Sequence, residues 1–193
     1  MQDYMYTTYI VSPLSSVVHV KGYEEMEVYN FRFRVREAFT KYNITILDPT
    51  EMEKVNIGMS VEKFSAICYE LKKLGEFEDL AKLVSPVTQA DLKYVRASDF
   101  LIGYASADYP TIGMIDELSE ARRCNIPAYI MIEGVEKISA WLIDMIYNAG
   151  GGKAFVGKNK VKDCVSYIEN RYFKGQDNER LKIIEKYKKK GII

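Results

Sequence analysis

A chain of 193 residues fits a single domain and is long enough to bury a core. Its 27 Lys+Arg balance 27 Asp+Glu, which argues against a nucleic acid polymer as partner, because polyanion-binding surfaces carry an excess of positive charge. Cys68, Cys124 and Cys164 form no CxxC pair and His19 is the one histidine, so neither a zinc site nor a His-dependent triad is expected, and no cofactor is called for. The scattered cysteines read as reduced thiols. With no basic, apolar leader at Met1-Gln2-Asp3-Tyr4 and no apolar run approaching ~18 residues, a cytoplasmic protein without a membrane span is expected.

In chain order, Thr8 to Val11 is a first strand, ended by Ser12-Pro13. Phe31, Val35, Ala38, Phe39 and Tyr42 recur at helical spacing, which predicts a helix over 24–42. Ile44 to Leu47 is the second strand, closed by Asp48-Pro49. Residues 51–84 read as a helical insertion: a helix capped by Ser60 with Phe64, Cys68 and Leu71 as its stripe, a break at Gly75, and a short helix from Phe77. A separate helix is expected from Thr88 to Ala97, with Thr88 as cap and Asp91 in its first turn. Phe100 to Tyr104 is apolar throughout, as a strand covered on both faces should be. A helix over 113–124, a strand over 128–132, a helix over 139–148 and a strand over 154–156 follow. Val161, Cys164, Val165, Ile168 and Tyr172 mark another helix, and 178–190 a charged terminal one.

This alternation implies an open parallel five-stranded sheet with helices on both faces, of flavodoxin- or Rossmann-like type, in one α/β domain over 1–173 with a helical extension over 174–193. Ligands of such sheets bind beyond the C-terminal strand ends, so the loops 12–22, 105–113 and 133–139 matter most. Gly150-Gly151-Gly152 follows a helix and precedes a strand, the wrong polarity for a phosphate loop, and reads as a turn.

Glu117 stands in the first turns of a helix leaving a strand end, on a face otherwise carrying Met114 and Ala121. A carboxylate there suits a nucleophile or an acid/base; it also suits a helix-start Glu favoured by the macrodipole. Asp91, Thr111 and Gly113 complete the constellation.

The segment Pro110 to Ala121, with Gly113 before Glu117-Leu118-Ser119-Glu120-Ala121, resembles the nucleophile-bearing segment of nucleoside 2-deoxyribosyltransferases. It is also similar to that of the related 2'-deoxynucleoside 5'-monophosphate N-glycosidases and CMP hydrolases; Ser119 stands where a Gly is usual. Tyr9-Ile10-Val11-Ser12-Pro13-Leu14 is similar to the family's first strand, Asp91 to Asp99 to its entry to the third, and Ile143 to Ile146 with Tyr172-Phe173 to its C-terminal part.

The resemblance implies a pentosyltransferase or N-glycosidase. Glu117 would attack C1' of the sugar, Tyr9 would orient Glu117, and Asp91 would handle the proton on the departing base. It further implies substrate contacts from Ser12, Pro13, Leu14, Ser15, Thr111 and Gly113, and from Asp144 and Met145 across a two-fold interface of a homodimer or larger oligomer. The partner would then be a small nucleoside or nucleotide. The Arg that nucleotide-cleaving relatives carry after the first strand is absent here, and Asp144 would repel a 5'-phosphate, so nucleosides are expected to be better substrates than their 5'-monophosphates. Ser15, Ser16, His19 and Lys21 are the residues nearby that could replace the Arg. A binding or sensing protein of the same fold is the alternative without turnover.

Overall fold

The computed structural model describes residues 6–13, 21–51, 58–109, 112–173, 186–187 and 190. Five strands, β1 (Tyr6–Val11), β2 (Ile44–Leu47), β3 (Phe100–Ser106), β4 (Ala128–Glu133) and β5 (Lys153–Phe155), pair in parallel in the order β2-β1-β3-β4-β5. The connections are helical: α1 (Glu27–Phe39), α2 (Val61–Leu74), α3 (Phe77–Arg96), α4 (Ile112–Arg123) and α5 (Ala140–Tyr147), with α6 (Lys160–Ile168) after β5. The protein is thus an open, doubly wound parallel sheet, as its alternation predicts. All seven residues of β3 are buried, because helices cover both faces.

Period-two alternation sorts the strand side chains between two cores. Ile10, Phe100, Ile102 and Tyr104 pack with Phe31, Val35 and Phe39 of α1 and with Val161, Cys164 and Ile168 of α6. Tyr9, Val11, Leu101 and Ala105 face the other way, against Val95 of α3, Met114, Leu118 and Ala121 of α4, and Leu142 and Ile146 of α5. From β1 the chain winds one way to β2 and then crosses back to β3. The switch point of the sheet therefore lies between the C-terminal ends of β1 and β3.

Two expected helices, one from Phe77 and one from Thr88, are a single helix, α3, which runs through Pro86. Thr88 is not a cap: its hydroxyl donates to the Ser85 carbonyl at 3.0 Å inside the helix. A proline ordinarily stops a helix by removing an N–H and crowding the preceding turn. Here the helix persists with strong formers on either side, Leu80-Ala81-Lys82-Leu83 before and Gln89-Ala90 after. The first helix is also shorter than expected, a 3₁₀ turn at Tyr23–Glu25 preceding α1. A π turn, Glu169–Phe173, ends α6. The terminal helix expected over 178–190 lies almost wholly outside the described residues. Among the described residues, no helix is long and apolar enough to cross a membrane.

The triple glycine is a packing device. Gly150 and Gly151 have φ of 53° and 80°, in the left-handed region. At Gly152 a Cβ would stand 2.3 Å from the Ile146 carbonyl oxygen and 2.5 Å from that of Ala128, so the chain enters β5 pressed against backbone on two sides.

Candidate active site

Tyr9 lies on β1, on the face that α3 and α4 cover, and is fully buried. Its ring stacks on Tyr94 of α3 at 6.4 Å between centroids. Its hydroxyl donates to Glu117 Oε1 at 2.9 Å. Glu117 stands one and a half turns into α4 with its carboxylate turned inward, and Oε2 is buried with no hydrogen-bond partner. Asp91, in the C-terminal half of α3, interacts with the same Tyr9 hydroxyl. Asp91 and Glu117, 82 and 108 positions from Tyr9, thus meet it in one place, brought there by strand pairing of β1 with β3 and by the two helices over it.

The electrostatics follow from that crowding. Burial, and then the neighbouring Asp91 charge, push the Glu117 carboxyl well above the usual carboxylate range; the Tyr9 hydrogen bond and the Arg32 charge oppose them. Burial also pushes the Asp91 carboxyl up to about 6, the Tyr9 contact acting the other way. The Tyr9 phenol is raised by burial and by both carboxylates, so it stays a neutral donor. It has one proton to give and two carboxyls beside it. The group therefore favours a state with one carboxyl ionised and the other protonated; the deeper burial of Glu117 keeps the proton there in the free protein, so a nucleophilic Glu117 requires that proton to pass to Asp91, the Tyr9 hydroxyl standing between them.

A cleft of about 840 Å³ opens over these residues at the switch point of the sheet, with Ser12, Asp91, Gly113 and Glu117 in its wall. Gly113 is exposed, and a Cβ there would meet nothing within 4 Å, so a side chain at this position would project into open space at the cleft wall. Pro13 is buried behind Ser12. Leu14, Ser15 and Thr111 lie outside the described residues, as do Ser16 and His19. Asp144 and Met145 do not reach this cleft within one chain. Asp144 accepts from Arg122 at 2.9 Å and from Asn148 at 2.6 Å on the outer side of α5, and Met145 packs at the edge of the core. The loop over 133–139 forms a 3₁₀ turn, Val135–Lys137, and does not line the cleft.

No family model matches this chain, and no curated protein does. Among solved structures it is similar to a 2-deoxyribosyltransferase from the psychrotolerant bacterium Bacillus psychrosaccharolyticus, a biocatalyst for the synthesis of antiviral and antitumoral nucleosides. The identity is 15%, over 81% of this chain and 88% of that one, with a TM-score of 0.49.

One residue of the site escaped the sequence reading. Arg32 of α1 is 2% exposed. It donates from Nη2 to Ser12 Oγ and from Nη1 to the Tyr29 carbonyl at 3.3 Å, and its Nε stands 3.6 Å from Asp48 Oδ1. Asp48 is already held by Arg36 at 3.1 Å and by the Thr50 N–H and hydroxyl at 3.0 and 2.8 Å, and Arg32 Nε has no hydrogen-bond partner. The signal was present in the spacing: Val28, Arg32, Val35 and Phe39 form one buried stripe, with an arginine where a hydrophobe belongs. Among the described residues, no group of three or more His, Cys, Asp or Glu converges to hold a metal ion.

Proposed function

We propose that this chain cleaves or transfers the N-glycosidic bond of a nucleoside, with Glu117 as nucleophile and Asp91 as proton donor. The observation that carries the reading is the Glu117–Tyr9–Asp91 group in the wall of a cleft at the switch point of the sheet. Tyr9 engages Oε1, which leaves the unpartnered Oε2 as the attacking oxygen. Oε2 bonds to C1' as the C1'–N bond breaks; the electron pair passes to the base nitrogen, which takes the Asp91 proton. Water or a second base then attacks C1', its proton goes to Asp91, and Glu117 is released.

The test is incubation with a panel of nucleosides and nucleotides, with and without free bases, followed by separation of the products. Glu117→Ala should lower turnover by several orders of magnitude, the scale of a lost covalent nucleophile. Near-normal turnover of that variant ends the reading. New nucleosides in the free-base arm mark a transferase; free sugar alone marks a hydrolase.

A second reading, hydrolysis of 5'-monophosphates, is favoured by Arg32. A buried guanidinium beside Ser12 is the kind of group that recognises a phosphate, and it stands next to the strand end where the expected Arg is missing. The nucleoside reading stays first, because Arg32 is already engaged by Ser12, the Tyr29 carbonyl and the Asp48 charge. Comparison of kcat/KM for deoxyadenosine and its monophosphate decides between them. Wild-type preference for the monophosphate, lost at least tenfold in Arg32→Met, would put the second reading first.

A further inference from the structure

Helix α3 carries more than Asp91. Leu80, Val84, Val87 and Asp91 follow at intervals of four, three and four residues, which places them on one face. That face lines the cleft. Across from it α2, joined to α3 by Gly75 in the left-handed conformation, presents Phe64 and Cys68. An amphipathic helix normally buries its apolar stripe against a core. These two scarcely do: Val61 and Ser65 are the buried residues of α2, and Val95 that of α3. The stripes face the cleft instead, whose 840 Å³ is near the upper end of the roughly 300–1,000 Å³ of small-ligand sites.

We infer that the α2–α3 hairpin forms the leaving-group chamber and is built for an N-linked base enlarged by a bulky apolar substituent. This rests on Glu117 and Asp91 acting as proposed above. The group that Asp91 protonates is by definition the leaving base, so the base lies against the α3 face on which Asp91 stands. At 1.5 Å of rise per residue, Leu80 lies roughly 16 Å along the helix axis from Asp91. An unsubstituted base touches the nearest turn, around Val87, and leaves Val84 and Leu80 facing water. An apolar substituent pointing along the helix removes those side chains from water, which is the favourable term in binding it. Polar groups on the α2 and α3 faces are correspondingly sparse, the polar lining residues Ser12, Asp116 and Ser119 standing at the end of β1 and on α4. Thr88 already donates its hydroxyl to the Ser85 carbonyl, and Lys72 stands two turns along α2 from Ser65.

The test compares adenine with N6-benzyladenine by calorimetry, and deoxyadenosine with its N6-benzyl derivative by kcat/KM. The proteins are the full-length wild type, Glu117→Ala and Val84→Trp, with Leu80→Asp as a second variant that adds no bulk. The benzyl base should bind on the order of tenfold tighter than adenine, and the benzyl nucleoside should be cleaved at least as efficiently as deoxyadenosine. Both chamber variants should shift the benzyl-to-plain ratio down about tenfold. Glu117-dependent cleavage of deoxyadenosine with poorer binding and cleavage of the benzyl compounds overturns the chamber and leaves the catalytic reading standing. If no N-glycoside is cleaved, the catalytic reading fails and the leaving-group assignment falls with it; the free bases then show whether the trough is still an apolar base-binding site, which equal binding overturns and a benzyl preference lost in Val84→Trp supports. If neither base binds and Val84→Trp dissociates a dimer, the trough belongs to a second copy and the inference falls.

Discussion

Asp91→Asn should stabilise the protein while disabling it. The asparagine keeps the shape of the side chain and an acceptor for the Tyr9 hydroxyl, and removes the ionisation. In the folded chain burial raises the Asp91 carboxyl from 3.8 to about 6. That rise corresponds to about 3 kcal/mol of penalty on the ionised form. The sign follows from proton counting. Below about pH 4 the carboxyl is protonated in folded and unfolded chains alike, and it costs nothing. Between about 4 and 6 the unfolded chain has released the proton and the folded chain retains it, so stability falls as pH rises. Above about 6 the deficit is constant. The variant should therefore gain about 3 kcal/mol on wild type at pH 7.5, roughly 6–12 °C in Tm for a chain of this size, and the gain should vanish near pH 4. Urea unfolding of both proteins at pH 4, 5, 6 and 7.5 measures it. Turnover should drop by about 10²- to 10⁴-fold, the scale of acid catalysis, and the alkaline limb of the wild-type pH profile, on which the carboxyl pair loses its shared proton, should disappear. A stability difference that is the same at pH 4 and pH 7.5, or a wild type that is the more stable at pH 7.5, refutes the reasoning.

Tyr9→Phe removes the hydrogen bond to the Glu117 carboxylate, and should cost about 1.5–3 kcal/mol of transition-state stabilisation, read as kcat/KM. It should also move the limb on which Glu117 ionises to higher pH; an unmoved profile would remove Tyr9 from its role. Gly152→Ala should destabilise by about 2–4 kcal/mol without a specific effect on KM, because the added methyl meets two carbonyl oxygens; a denaturation midpoint within error of wild type contradicts the packing account. Trp141 on α5 is 81% exposed, beside Asp144, and light scattering should show at least a dimer built on that helix. A monomer with full activity would dispose of the shared-site expectation.

The strands were legible because their signal is local. Phe100 to Tyr104 is an unbroken apolar run, and β1 and β2 are each closed by an X-Pro pair, Ser12-Pro13 and Asp48-Pro49. Glu117, Tyr9 and Asp91 could be named from the sequence, but their meeting could not, because it depends on β1 pairing with β3 across some 90 residues. Pro86 misled for the opposite reason. A strong local rule was outweighed by the helix formers on both sides of it, and the capping residue assigned to Thr88 went with it. Arg32 shares the buried stripe of α1 with apolar residues, and nothing local to it marks the partners that bury it. Its partners, Ser12 and Asp48, are 20 residues back and 16 ahead, on two different strand ends.

The hydrogen bond from Tyr9 to Glu117 also says when this site can exist. During synthesis β1 emerges first, and until β3 leaves the ribosome it can pair only with β2, as a two-stranded ribbon. Parallel pairs of that size are marginal on their own. The bond closes a loop of 108 residues, and its donor lies on a strand that has neighbours on both sides in the finished sheet. The Tyr9–Glu117–Asp91 group must then form late and all at once, with the cooperative assembly of the sheet. In the mature protein the same topology ties the protection of the Tyr9 amide against hydrogen exchange to global unfolding, because that strand is hydrogen-bonded on both sides.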